Sequence, residues 1–252
     1  MSTSLVLVTG GSRGIGAATC LRAAELGHAV AVNYVSNEAA ANTVVAQIED
    51  AGGKAYAMQG DVQSEVDVVR LFEQCDAVGT LVGLVNNAGV VDQPVRVDEV
   101  TNFRLTRLFA INVVGTFLCA REAVIRMSTR HGGTGGSIVN LGSAASKLGA
   151  PNQYVDYAAA KGAIDTMTVG LSLEVAGEGV RVNAVRPGII DTEIHASGGV
   201  PDRVAQLEAQ LPMKRAGTAD DVARAIKWLL SDEASYTTGA ILDVSGGRSI
   251  LP

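Results

Sequence analysis

The chain is poor in aromatic and charged side chains. It carries one Trp, four Phe and five Tyr in 252 residues, and only 18 % of its residues are charged. The formal net charge is −6 and the pI about 5.1, so basic residues are not in surplus. Binding to nucleic acid is not expected, because neutralising phosphates demands clustered Lys and Arg. No block of like charges marks an interaction tail. Cys20, Cys75 and Cys119 are odd in number, far apart and never spaced CxxC, which argues against a disulfide framework and a zinc site. His28, His131 and His195 are equally dispersed, so no metal site is expected. The opening residues have no basic stretch, and the apolar run after them ends at Thr9. That is too short for a secretory signal. No run approaches the ~18 apolar residues of a membrane span. The expectation is a cytoplasmic chain with no membrane partner.

Glycine, in contrast, is abundant, at 29 residues, and hydrophobic residues make up 47 %. The glycines have no G-X-Y period, so a collagen-like chain is excluded. Glycine belongs where backbone turns sharply or approaches something closely. A chain of this length buries a large core. Residues 1–252 read as a single domain, since the flexible Gly132-Gly133-Thr134-Gly135-Gly136 is too short for a linker.

Short apolar runs alternate with helical stretches. Strands are expected over residues 5–9, 28–34, 54–59, 81–86, 136–141, 180–185 and 240–244. Helices are expected over 17–26, 37–51, 64–78, 98–130 with a break near Asn112, 153–176 and 219–230. The strands are continuous apolar runs, as when both faces of a sheet are buried. The predicted class is therefore α/β: a doubly wound Rossmann fold on a parallel sheet of seven strands.

The sequence TGGSRGIG, residues 9–16, joins the first strand to the first helix. Glycines there admit a pyrophosphate, and the helix N-terminus offers free N–H groups and a positive dipole. The spacing G-x-x-x-G-x-G (Gly10, Gly14, Gly16) differs from G-x-G-x-x-G. NAD sites hold the ribose with an acid ~20 residues on. Here the second strand ends Val32-Asn33-Tyr34, and the first acid is Glu38. Arg13 lies in the loop, where it would attract a 2′-phosphate or simply be a solvated charge. NADP(H) is therefore preferred, with NAD(H) as the alternative. Further on, Tyr157 and Lys161 are four apart on a helix and share one face. An ammonium beside a phenol lowers a pKa of ~10 towards one useful for proton transfer at neutral pH.

TGGSRGIG, Asp61-Val62, Asn86-Asn87-Ala88-Gly89, Asn112, Ser143, Tyr157-x-x-x-Lys161 and Pro187-Gly188 follow one another in an order that resembles the short-chain dehydrogenase/reductase family. The resemblance spans nearly the whole chain and is nearest to bacterial glucose/ribitol-dehydrogenase-like oxidoreductases. It implies catalytic roles for Asn112, Ser143, Tyr157 and Lys161. Tyr157 would be acid and base, Lys161 would lower its pKa and hold the nicotinamide ribose, Ser143 would bind the reacting oxygen, and Asn112 would hold a water feeding protons to Lys161. It implies cofactor contacts from Gly10, Ser12, Arg13, Gly14, Ile15, Gly16, Asn33, Tyr34, Asp61, Val62, Asn86, Asn87, Ala88, Gly89, Pro187, Gly188, Ile190 and Thr192, besides Tyr157 and Lys161. A mobile lid would cover the substrate over about residues 193–213. His195 falls in that lid, as a substrate contact or an exposed loop residue. Gly142 stands where the family often has a first serine, a change that would enlarge the pocket.

The function so implied is hydride transfer between a nicotinamide and a carbonyl or secondary alcohol of a small molecule. The alternatives are a 3-oxoacyl-(acyl carrier protein) reductase and a catalytically idle nucleotide-binding relative. Few basic residues mark the expected mouth (Lys147, Arg203, Lys214, Arg215), which gives an acyl carrier protein little to dock on. Relatives pack their long helices across subunits, so a homotetramer is expected.

Overall fold

The computed structural model describes residues 3–250. In chain order the first half runs β1 (Ser4–Val8), α1 (Gly14–Ala24), β2 (Ala29–Tyr34), α2 (Glu38–Asp50), β3 (Ala55–Gln59), α3 (Glu65–Val78) and β4 (Thr80–Asn86). Then come α4 (Asn102–Phe109), a π-helical turn (Ala110–Val114), α5 (Gly115–Met127), β5 (Gly136–Leu141), α6 (Ala145–Leu148), α7 (Val155–Val175) and β6 (Val180–Pro187). The last part holds β7 (Ile190–Asp191), α8 (Ile194–Ser197), α9 (Arg203–Leu207), β8 (Gly217–Thr218), α10 (Ala219–Leu230) and β9 (Ile241–Val244).

Seven strands form one parallel sheet in the order β3-β2-β1-β4-β5-β6-β9. The order reverses between β1 and β4, and in such sheets ligands bind at that switch point, beyond the carboxyl ends of the strands. Alternate residues of β1 serve opposite faces, as the pleat requires. Val6 and Val8 pack with α1, α2 and α10 through Cys20, Val44 and Ile226. Leu5 and Leu7 pack with α3 and α5 through Phe72, Cys75 and Cys119. All three cysteines are free and buried.

The predicted strands and long helices are found with shifts of a few residues at their ends. The helix expected over 98–130 is not broken at Asn112 but carries a π-helical turn there. It runs on as one apolar rod, Asn102–Met127, long and apolar enough by length and composition to cross a membrane. Its apolarity serves two faces: Cys119, Ala123 and Met127 enter the core under the sheet, while Phe103, Val114 and Phe117 are exposed. The short elements α6, β7, β8, α8 and α9 were not predicted, because they hold too few residues to show a period.

Candidate active site

The strand ends place the predicted residues around one cleft. A cavity of about 460 Å³ is lined by Ile15, Asn87, Gly89, Ser143, Tyr157, Lys161, Pro187, Gly188, Ile190 and Thr192, among others. Gly14 and Thr192 come together at its edge, since a Cβ on Gly14 would lie 3.4 Å from the Thr192 methyl. The loop after β1 and the loop after β6 are thus the two lips of the cleft.

The glycine loop is held by polar groups rather than by its own helix. Thr9 Oγ1 donates to the Val85 carbonyl and accepts from the Asn87 and Ala88 N–H groups. Asn87 Nδ2 donates to the Thr9 and Gly10 carbonyls. Gly10 and Gly14 have φ of +61° and +52°, which favour glycine. Gly16 is glycine for another reason: a Cβ there would lie 2.2 Å from the Gly10 carbonyl oxygen. The loop is therefore shaped by close backbone packing. Asn33, expected at the cofactor, is 1 % exposed and fully engaged. Its Oδ1 accepts the Gly10 N–H, and its Nδ2 donates to the Met58 and Gly60 carbonyls. Its side chain positions the loop and has nothing left for a ligand, which corrects the expected contact.

The residues fit a dinucleotide's diphosphate. Helices α2 and α3, which follow the neighbouring strands, are closed by the side chains of Asn37 and Ser64. Helix α1 has Arg13 at its N-cap, with no side-chain cap and no acid in its first turn. Its leading N–H groups are left for an anion. Arg13 is exposed and has no ion pair among the described residues. Tyr34 is buried at the end of β2, its phenol pushed up by burial and by the Glu38 carboxylate. Asp61 caps its own turn through Gln63, while Val62 packs on Gly115, where a Cβ would come within 2.8 Å of it. Gly188 admits the chain after β9, its Cβ position lying 2.7 Å from the Ser245 carbonyl oxygen.

On the other wall, Ser143 follows β5 and lies close enough to the Tyr157 hydroxyl to act on its titration. Burial raises the Tyr157 pKa, and the neighbouring Ser143 hydroxyl lowers it by less. Lys161 is 4 % exposed, and its Nζ donates to the Leu141 carbonyl at 2.7 Å. That Nζ stands 5.7 Å from the centre of the Tyr157 ring, beside its face. Burial pulls the lysine down to about 8, opposed by Asp165 one turn on. In this structure burial of the phenol is the larger influence on Tyr157, and the Lys161 ammonium is aimed at the Leu141 carbonyl.

Asn112 lies in the π-helical turn and is fully buried. Its Nδ2 donates to the Val90 and Leu108 carbonyls, and its Oδ1 accepts the Val90 N–H. The side chain is a bolt between the helix and the loop after β4. Gly89 lies between it and the lysine: a Cβ there would be 2.7 Å from Asn112 Oδ1 and 3.6 Å from Lys161 Nζ. Gly142 does not enlarge the pocket. Its Cβ position points inward, 3.1 Å from Asp165 Oδ1 and from the Val185 carbonyl oxygen, into the buried Arg186–Asp165 pair.

The chemistry-bearing residues that the sequence did not single out are Gln153, Tyr154 and Arg248 on the cavity wall, and the Arg104–Asp156 pair beneath it. Arg104 Nε reaches Asp156 Oδ2 at 2.5 Å and its Nη1 reaches the Gln93 carbonyl, which ties the loop after β4 to α7 beside Tyr157. Partners 52 residues apart give no local signal. The side chain of His195 lies outside the described residues.

A cleft at the carboxyl ends of a doubly wound parallel sheet, with Ser, Tyr and Lys on one wall, is that of a Rossmann-fold oxidoreductase. The family profile described as Enoyl-(Acyl carrier protein) reductase matches residues 10–249. The chain belongs to the short-chain dehydrogenase/reductase family, whose members use NAD(P)(H) and act on CH–OH groups of small molecules. It is 54 % identical over 246 residues to "Uncharacterized oxidoreductase YgfF" of Escherichia coli (strain K12), covering 97 % of this chain and 100 % of that protein. It is 36 % identical over 247 residues to glucose 1-dehydrogenase 2 of Bacillus subtilis (strain 168), covering 98 % of this chain and 95 % of the relative. A solved structure of the promiscuous reductase LugOII, which catalyses keto-reduction at C1 in lugdunomycin biosynthesis, superposes with a TM-score of 0.88 at 38 % identity over 99 % of both chains.

Proposed function

We propose that the chain is an NADP(H)-dependent oxidoreductase acting on a carbonyl or secondary alcohol, with Tyr157 as its acid and base. The observation that carries this reading is the meeting of Ser143, Tyr157 and Lys161 on one cavity wall. The bound coenzyme would supply or take the hydride. Tyr157, its pKa raised, holds its proton at neutral pH and can donate it to a carbonyl oxygen. Ser143, on the same cavity wall as Tyr157, would orient that oxygen. Lys161, with a pKa near 8, exchanges protons readily near neutrality and would hold the ribose of the coenzyme. Asn112 and the Arg104–Asp156 pair keep the loop after β4 in register with α7. The N–H groups of Ser12, Arg13, Gly14 and Ile15 would take the diphosphate. Ala88, Gly89, Pro187, Gly188, Ile190 and Thr192 would flank the nicotinamide half, and Asp61 and Val62 the adenine. An idle nucleotide-binding relative need not keep all of Asn112, Ser143, Tyr157 and Lys161, and this chain keeps them all.

Preference for the phosphorylated coenzyme rests on Arg13, which has no carboxylate of its own. Glu38, beside Tyr34, opposes it and supports NAD(H) as the second coenzyme. The exposed apolar residues Phe103, Val114 and Phe117 on the long rod and Leu173 on α7 support a homotetramer. The test is turnover with NADPH and NADH over sugars, polyols, diketones and oxoacyl thioesters. Reduction of ketones with NADPH is expected. Turnover confined to oxoacyl thioesters would instead favour a 3-oxoacyl-(acyl carrier protein) reductase. No turnover with any substrate would favour the idle relative.

A further inference from the structure

Among the described residues, every charged side chain lining the cavity is cationic: Lys161, Arg203 and Arg248. No Asp or Glu lines it. Lys161 belongs to the reacting centre. The two arginines stand elsewhere on the wall. Arg203, at the start of α9, lies over the Tyr154 ring at 5.0 Å, and its Nη2 donates to Gln153 Oε1 at 3.0 Å. Arg248 follows β9 in a short 3-10 turn that packs on α6, the segment directly after Ser143. Both arginines are therefore borne by elements flanking Ser143 and Tyr157, away from the glycine loop.

Their pairing sets them apart from the rest of the chain. Eleven of its fifteen arginines sit within ion-pair distance of a carboxylate. Of the other four, Arg13 lies at the glycine loop, and Arg181 donates to three main-chain carbonyls, of Leu229, Leu230 and Ser231. The remaining two are Arg203 and Arg248. Arg248 is partly buried, and its guanidinium has no hydrogen-bond or ion-pair partner among the described residues. The charge that acts on it is Arg203, which repels it. Two like charges brought together without a counter-ion are unfavourable, and a ligand anion between them removes that cost. Guanidinium groups take carboxylate and phosphate oxygens in two-pronged hydrogen bonds.

Resting on the oxidoreductase reading above, we infer that the substrate is anionic: a small ketone or alcohol whose carboxylate or phosphate is held by Arg203 and Arg248 while its carbonyl oxygen meets Ser143 and Tyr157. The pair would select substrates and set their direction in the cavity. Arg203, carried by the segment expected as a lid, would also couple closure to the presence of the anion.

The experiment measures kcat/KM with acetoacetate and levulinate, with the methyl ester of each, and with dihydroxyacetone phosphate, in the parent and in Arg203→Met and Arg248→Met. An acid-over-ester preference of about 10- to 100-fold is expected, with each variant losing most of it through KM. Dihydroxyacetone phosphate surpassing the acids identifies phosphate as the anion, and the acids surpassing it identify carboxylate. Esters turned over as well as their acids, or an acid-to-ester ratio unchanged in both variants, overturns the inference. If no substrate is turned over, the oxidoreductase reading fails, and calorimetric binding of levulinate then decides the subsite alone. Binding that weakens in both variants keeps it, and no binding, or equal binding in all three proteins, overturns it.

Discussion

On the β1–α1 side of the cleft the motif residues are occupied with the protein itself, whereas on the β5–α7 side they face the cavity. Gly16 makes room for the Gly10 carbonyl, Asn33 ties the loop to β3, and Asn87 ties it to the segment after β4. What the loop offers a ligand is backbone N–H groups, held in place by side chains that are already engaged. The facing wall offers side chains: a phenol raised by burial, a lysine lowered by it and two arginines with no carboxylate partner among the described residues. Substitutions on the first wall should therefore act on folding and coenzyme binding, and those on the second on chemistry.

The largest effect should come from Tyr157→Phe. Removing the proton donor should reduce kcat by about 10²–10⁴-fold, while thermal stability and NADPH binding by fluorescence stay close to the parent. A variant with near-parental kcat would break the contrast between the walls. On the opposite side, Gly16→Ala should unfold more easily by about 3 kcal/mol in urea, because its methyl has no space beside the Gly10 carbonyl. A variant as stable as the parent, but weak for coenzyme, would assign Gly16 to the ligand instead.

Lys161 joins chemistry to stability. Its pKa near 8 in the fold lies below the 10.5 of a lysine in the unfolded chain. Below pH 8 the lysine is charged in both states, and its burial costs the fold. Between pH 8 and 10.5 the unfolded chain holds more protons, so stability rises with pH there. The stability of the parent relative to Lys161→Met should increase across that window by up to about 3 kcal/mol. A flat difference would mean that the lysine titrates as if exposed. The smallest effect belongs to Arg13→Ala, since the side chain is exposed. It should weaken NADPH by about 1–2 kcal/mol and NADH hardly at all. Equal losses for the two coenzymes would remove the basis for preferring NADP(H).

Much of the scaffold was legible. Parallel strands buried on both faces read as continuous apolar runs, and caps such as Asn37 and the glycines after α1 and α2 punctuate the helices. The motif order located Ser143, Tyr157 and Lys161 at one cleft. Misread was the use of individual side chains. Asn33 sits where a ligand-facing residue was expected, yet its amide bonds to main chain of β3. Gly142 was expected to widen a pocket and instead clears Asp165. Arg248 left no trace, because its surroundings come from segments far away in the chain.

The sequence by itself determined the alternation of strand and helix, the parallel sheet, the glycine loop and the family. These follow from hydrophobic period and from residues a few places apart, which meet whatever the rest of the chain does. Only the tertiary structure decided which polar atoms were already engaged, which way Lys161 points, and that two arginines from α9 and from the turn after β9 share a cavity without an acid. Hydrogen bonds and charges act at a few ångströms, and the partners here are brought that close by folding rather than by their order in the chain.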